Sequence, residues 1–331
     1  MSDSLCGQEG MVMVEQRSLV EALMDPRLGS NAKLSGIERL IDWSRLEPLV
    51  SPLRQGRTGR PPYAPLAMVK ALYLQALYDP SDPGLEEALL DRLSFRRFCG
   101  FALDGGTPDE TTLCRFRAAA AAGDVLERCF AEINRQLDAQ GLVLRRGTIL
   151  DASVVKATRK PPRGDWIAPG DPHPQEPGAD WTRKDGKPVF GYRFHIGMDE
   201  GSGLIRKLAF TSARVQDVER ADALVCGDEG AVYADRAYEG QARRKALKAA
   251  GIKDRIMHRR HRYMPKLPRW QARRNHLIAR RRAPVEAVFS AMKRLYGKAR
   301  TRCLSIERNA ADFLAFATIY NLRRAAILAA G

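Results

Sequence analysis

Apolar residues recur at helical spacing through the first 140 or so residues of the chain. In "PLAMVKALYLQAL" (65–77), Leu66, Val69, Leu72, Tyr73, Ala76 and Leu77 share one stripe, which predicts a helix. "TPDETTLCRFRAAAAAG" (107–123) opens on Thr107, Pro108 and Glu110. That is the grammar of a capping box with proline at the first helical position, and Gly123 stops it. "DVLERCFAEINRQLDAQG" (124–141) repeats the pattern. Asp124 stands as cap, Val125, Cys129, Phe130, Ile133 and Leu137 face inward, and Gly141 marks the exit.

From Gly147 the period shortens. "GTILDASVV" is β-rich, and "VFGYRFHIGMD", the turn "GSG" and "LIRKLAFTSA" read as a hairpin. "DVERADALV" reads as a helix capped by Asp217, "AVYADRAY" as a strand, "GQARRKALKAAG" as a helix and "DRIMHRR" as another strand, after which the chain is helical. Strands alternating with helices after an antiparallel start predict a mixed α/β sheet. The division expected is a helical N-terminal domain over 1–140 and an α/β domain over 141–331. The latter is interrupted at 156–188 by a segment with seven prolines that reads as an extended surface loop.

Composition adds a partner. The 331 residues hold 55 Lys+Arg against 39 Asp+Glu, a net charge of +16. Residues 241–300 alone carry 20 Lys+Arg and only two acids, Asp254 and Glu286, so the rest of the chain is close to neutral. Charge concentrated in this way predicts a surface for a polyanion, most simply DNA. The six cysteines are scattered with no CxxC pair, which argues against structural zinc and disulfides and fits a reducing cytoplasm. Neither the N-terminal residues nor "FLAFATIYNLRRAAILAA", broken by Arg323 and Arg324, reads as a signal peptide or a membrane span.

Three acids stand where chemistry could use them: Asp151 ending "GTILD", Asp235 ending "VYAD", and Glu286 on the late basic helix. Two strand-end aspartates and a helix glutamate form an oxygen donor set suited to two Mg²⁺ ions, with Mn²⁺ as a substitute. Such a pair serves in-line displacement at phosphorus. On that helix Val285, Phe289, Met292 and Tyr296 share an apolar face bordered by Glu286, and Lys293 nearly eclipses Glu286 seven residues on. Lys293 is therefore a candidate phosphate contact, as are Arg282, Arg294 and Arg236. Arg282 would lie on the same side only if the helix ran through Pro284; a helix starting there would leave Arg282 in the preceding turn.

The segments "GTILDASVVKA", "WTRKDGKPVFGYRFHIGMDEGSGLI", "VYADRAYEG" and "RAPVEAVFSAMKRLYG" resemble, in this order, the core of bacterial insertion-sequence transposases of the DDE class. Within the superfamily named after insertion sequences four and five, the resemblance is greatest to the insertion sequence five side, and it spans roughly residues 50–325. It implies a ribonuclease-H-like fold with Asp151, Asp235 and Glu286 as catalytic triad. It also implies that Arg282, Glu286 and Lys293 are the family's R-x3-E-x6-K signature. A tyrosine found in some members three residues before that arginine is Ala279 here. The implied activity is metal-dependent cleavage at transposon ends and transfer of the 3′-hydroxyl into target DNA. The implied partners are terminal inverted repeats, target DNA and a second subunit in the synaptic complex, in a bacterial cytoplasm.

Other residues carry two readings each. His258 and His261 form an H-x2-H among arginines that lacks further zinc ligands. His195 is either an aid to the first carboxylate or a packed strand histidine. Trp166 and Trp181 either stack on bases or anchor the Pro-rich loop. Arg115 and Arg117, with Arg54, Arg57 and Arg60, either read DNA or sit on packing helices. Two rivals to a transposase are a silent DNA-binding derivative and a host nuclease of the same fold. The intact acids argue against the first, since binding alone needs none of them.

Overall fold

A computed structural model describes residues 25, 27–53, 62–159, 172–184, 186–260 and 266–330. Trp166, His261, Arg54, Arg57 and Arg60 lie outside these residues, as does most of the Pro-rich stretch.

The N-terminal region is all helical: α1 (Ala32–Glu38), α2 (Glu47–Val50), α3 (Pro65–Tyr78), α4 (Asp82–Asp91), α5 (Leu93–Cys99), α6 (Glu110–Ala121) and α7 (Val125–Ala139). The stripe foreseen on α3 is too narrow. Residues 67–77 are buried all round, including Lys70 and Gln75, because helices surround it. Lys70 lies 4.6 Å from the Trp43 ring and 3.6 Å from Glu38. The cap of α6 is Asp109, not Thr107. Its carboxylate accepts from Thr112 N at 2.6 Å, while the Thr107 carbonyl is held by the Tyr63 hydroxyl. On α7, Asp124 makes no capping hydrogen bond and instead pairs with Arg128 at 3.1 Å.

A six-stranded mixed sheet follows: β1 (Thr148–Lys156), β2 (Asp180–Lys184), β3 (Lys187–Asp199), β4 (Ile205–Ser212), β5 (Ala231–Ala234) and β6 (Lys253–Ile256). The path runs β2-β3-β1-β5-β6, with β4 also on β3. β1, β3 and β4 are antiparallel neighbours, and β5 and β6 run parallel to β1. This is a ribonuclease-H-like mixed core behind a helical region, as the sequence predicts.

The Pro-rich segment is not all loop. β2 pairs with β3 from Asp180↔Gly191 to Lys184↔Lys187. Ahead of it, the fully buried Glu176 accepts hydrogen bonds from Thr158 N, Arg159 N and Tyr192 Oη. Trp181 thus belongs to a strand, its ring 5.4 Å from that of Phe190.

One face of the sheet carries α8 (Asp217–Leu224) and α9 (Gln241–Ala249) over Leu150, Val232, Ala234 and Ile256. Gly197 of β3 permits this approach, because a Cβ there would meet Leu224 O at 2.6 Å. The cap of α8 is Gln216, in a capping box with Glu219; Asp217 is then free to bind Arg193 at 2.6 Å.

The other face carries α10 (Arg269–Arg282), α11 (Pro284–Leu295) and the 25-residue α12 (Ile306–Ala330). α12 packs between the sheet and α1, α3, α6 and α7. Phe313 lies 5.0 Å from Phe194 and 4.7 Å from Phe210. Asn321 and Asn134 together hold both backbone groups of Ile205. Helical region and sheet therefore share one hydrophobic core. Among the described residues no helix is long and apolar enough to cross a membrane, and Cys99, Cys114, Cys129, Cys226 and Cys303 are free thiols.

Candidate active site

Strand register brings the two aspartates together. β1 and β5 pair in parallel at Thr148↔Val232 and Ile149↔Tyr233. Asp151 lies two residues beyond Ile149 and Asp235 two beyond Tyr233, so both stand at the same level on neighbouring strands. Alternation along a strand puts them on one face, the face of α10 and α11, which pack on β5 and β1. Asp235 caps the 3-10 turn Arg236–Tyr238 through a 2.8 Å bond from Ala237 N.

Arg282 reaches this face from the last turn of α10. Its Nη2 lies 3.0 Å from Asp151 Oδ2, with side-chain exposures of 14% and 23%. The chain passes from α10 to α11 through the helical Ala283 (φ −47°, ψ −37°), and Pro284 opens α11. Arg282 therefore stands on a helix, not in a turn. Proline is accommodated because the first residues of a helix have no intrahelical N–H partner to lose. Its charge is also engaged with Asp151, which the sequence reading as a plain phosphate contact did not foresee.

The carboxyl of Asp151 is pushed up to about 6. Burial is the main cause, Arg282 and the Ala152 amide pull it back, and Asp235 and Asp217 add to the rise. Two carboxylates with one guanidinium leave surplus negative charge at neutral pH. Two nearby polar atoms, Tyr238 Oη and Arg282 Nε, are buried without a hydrogen-bond partner. Tyr238 lies within electrostatic reach of both aspartates.

Glu286 occupies the first turn of α11, exposed; its backbone N–H donates to Ala283 O at 3.1 Å, and its carboxylate has no hydrogen bond or ion pair among the described residues. Nothing brings its carboxylate into contact with Asp151 or Asp235 here. Val285, Val288, Met292 and Tyr296 bury the apolar face of α11, with Phe289 half-buried. On the same helix Lys293 is half-buried, and its ammonium is pushed down to about 8 by burial and by Lys184 of β2. Two cations brought together favour an anion between them. Lys184 escaped the sequence reading because only β2 pairing carries it there. Arg294 bonds Ser290 Oγ, and Arg236 is exposed.

Several other candidates serve structure. His195 pairs with Ala152, one residue off Asp151 in register, and so faces α8. It is fully buried, 2.9 Å from Thr211 Oγ1, and burial pushes its pKa down to about 4. Arg117 is buried and ion-paired to Asp82, so it is not available to DNA, whereas Arg115 is exposed. His258 packs edge-on against Trp270 at 5.4 Å. Within the basic run, Arg243, Arg244, Arg281 and Lys298 are held by Asp222, Asp254, Glu200 and Asp312, so that run is not one continuous surface. Among the described residues, Cys226, Asp228 and Glu229 group their ligand atoms within 4.8 Å. Arg145 and Arg206 engage Asp228, and the amides of Cys226 and Gly227 engage Glu229. That turn is closed by its own contacts.

Residues 144–322, more than half the chain, match the family model described as "Transposase DDE domain". The chain belongs to that family. Residues 23–119 match a second model, "Transposase domain (DUF772)", so the helical region of this DDE transposase domain protein also has its counterpart. The chain is similar to the piggyBac transposase of a synaptic complex with hairpin DNA, at 11% identity over 89% of this chain and 77% of that one, TM-score 0.37. It is similar to a chain of the pre-cleavage Mos1 transpososome at 13% identity over 83% and 80%, TM-score 0.18. Likenesses this remote add nothing to the family assignment.

Proposed function

We propose that this chain is an active insertion-sequence transposase, of the insertion sequence four/five superfamily and nearest its insertion sequence five side. In this reading it cleaves a phosphodiester at each transposon end and joins the freed 3′-hydroxyl to target DNA. The observation that carries the reading is the register that sets Asp151 beside Asp235, on the sheet face where Arg282 and the helix of Glu286 dock.

The donor set fits divalent metal. All three side chains offer oxygen, the Asp151 carboxyl is raised by burial and by its neighbouring acids, and orphaned polar atoms stand nearby. Asp151, Asp235 and Glu286 would hold two Mg²⁺ ions, which supply charge stabilisation to the attacking and leaving oxygens of an in-line displacement. Arg282 orients Asp151 and screens its charge. Lys293 with Lys184 receives a phosphate, and the exposed Arg236 and Arg294 hold the neighbouring backbone. In the first displacement water attacks phosphorus and the 3′-oxygen leaves; in the second that 3′-hydroxyl attacks a target phosphate and the target's 3′-oxygen leaves. The N-terminal domain over 1–140 binds the terminal repeats or pairs subunits, since two ends must be held together.

The test is Mg²⁺-dependent cleavage and strand transfer on DNA carrying the element's ends, with Glu286→Gln as comparison. Cutting and joining by the parent, with binding alone by the variant, supports the reading. Equal cutting by both would remove Glu286 from the site. Binding without reaction by both would favour a silent DNA-binding protein, and cutting without joining a nuclease.

A further inference from the structure

On the face of the sheet that carries Asp235, a second groove lies between α10 and the strands β5 and β6. Its volume is about 700 Å³, and no acid lines it. Trp270 and Leu277, one above the other at i and i+7 on α10, stand 61% and 53% exposed beside Tyr233. Around them are Arg255, Arg273 and Arg280, all exposed, with no ion pair or hydrogen bond from their side chains among the described residues. The two other arginines that line the groove are engaged, Arg274 with the carbonyls of Ile256 and Asp254 and Arg281 with Glu200; these three are not. The indole is also fixed in place. His258 packs edge-on against it at 5.4 Å, and both backbone groups of His258 are held by the Asn275 amide at 2.9 and 3.0 Å.

A supported aromatic face amid unpaired guanidinium groups suits a nucleic-acid strand with unstacked bases: the ring takes a base and the cations take the phosphates. Within a closed duplex the bases already stack on one another, so the indole would have no partner. The position is as informative as the chemistry. α10 ends at Arg282, which touches Asp151; Trp270 is twelve residues earlier, about 18 Å along the axis. At duplex spacing that is roughly five nucleotides of strand.

We propose that this groove holds a single-stranded DNA segment running along α10 away from the active site. An unpaired base stacks on Trp270, and Arg255, Arg273 and Arg280 contact the phosphates. This rests on the transposase reading, because α10 measures distance from a site that acts on DNA.

The experiment compares binding of a blunt DNA duplex with the same duplex carrying a dT tail of about ten nucleotides, longer than the five estimated above. The full chain is used with Trp270→Ala and Trp270→Phe, each checked by thermal melting. Parent protein should bind the tailed duplex more tightly. Trp270→Ala should lose about tenfold on it with little change on the blunt duplex, and Trp270→Phe should retain most of the gain. Arg273→Gln should lower the salt slope on the tailed duplex by about 0.7. Equal binding of both duplexes by the parent, or an equal loss on both in Trp270→Ala, overturns the groove while leaving the transposase reading intact. Unchanged DNA affinity with altered self-association in Trp270→Ala overturns it in favour of a protein contact. Failure of the parent to bind either duplex overturns both readings.

Discussion

Asp151 offers a prediction that links stability to the proposed chemistry. Its carboxyl rises from 3.8 to about 6 in the fold, which corresponds to about 3 kcal/mol against the ionised form at neutral pH. The side chain keeps 23% exposure, so solvent screens part of this, and about 2 kcal/mol is the figure to expect. Between the unfolded value and about 6, the folded chain binds more protons than the unfolded one. Stability therefore falls as pH rises through that window and stays lower above it. Asp151→Asn resembles the protonated acid and does not titrate, so it removes the penalty. In EDTA, urea unfolding should show parent and variant nearly equal at pH 4 and the variant about 2 kcal/mol more stable at pH 7. Mg²⁺ should then stabilise the parent, by about 2.7 kcal/mol at a hundred times its Kd, and leave the variant unmoved. A variant less stable than the parent at pH 7, or a difference that ignores pH, would refute this account of Asp151.

Further outcomes follow from the same structure. Lys298 and Asp312, 2.6 Å apart with exposures of 2% and 7%, form a buried pair, so Asp312→Ala should cost about 3–5 kcal/mol in chemical denaturation. His195 is buried and its pKa is pushed down to about 4, so it is neutral at pH 7. His195→Gln should leave the pH profile of cleavage unmoved between pH 6 and 8. Arg117 holds Asp82 and Gln75; Arg117→Leu should lower the melting temperature while leaving the salt dependence of DNA binding unchanged. Gly297 has φ +65°, and a Cβ there would collide with the Asp79 carboxylate, so Gly297→Ala should destabilise the fold in a urea titration.

What the sequence revealed and concealed divides along physical lines. Periodicity located the hairpin of β3 and β4, the alternating strands and helices after it, and the inward face of α7, because each records burial along a single element. Caps were misplaced wherever several residues could serve. Asp109 accepts from Thr112 N in place of Thr107, and the Gln216–Glu219 box releases Asp217 to Arg193. β2 was hidden among prolines, since its pairing with β3 is the only thing that makes Asp180–Lys184 a strand. Lys184 and the strand placement of Trp181 were lost with it.

The site shows the same division at finer scale. Asp151 and Asp235 were visible because a carboxylate ending an apolar strand is conspicuous, yet their adjacency depends on the parallel pairing of β1 with β5, separated by more than 80 residues. Arg282 was visible as a signature position and a phosphate contact, not as the partner of Asp151. Its pairing with Asp151 requires that α10 end over β1, and that follows from the docking of α10 on β5 and of α11 on β1. Glu286 is the reverse case: it was singled out because it is the lone acid among cations, and its carboxylate has no hydrogen-bond or ion-pair partner among the described residues. A carboxylate left unpaired among so many cations is one that its own fold does not neutralise. Arg282, four residues away, is engaged with Asp151, so in the function proposed above the Glu286 carboxylate is left available to a metal ion. That is the condition expected of a ligand for a cation that arrives with the substrate.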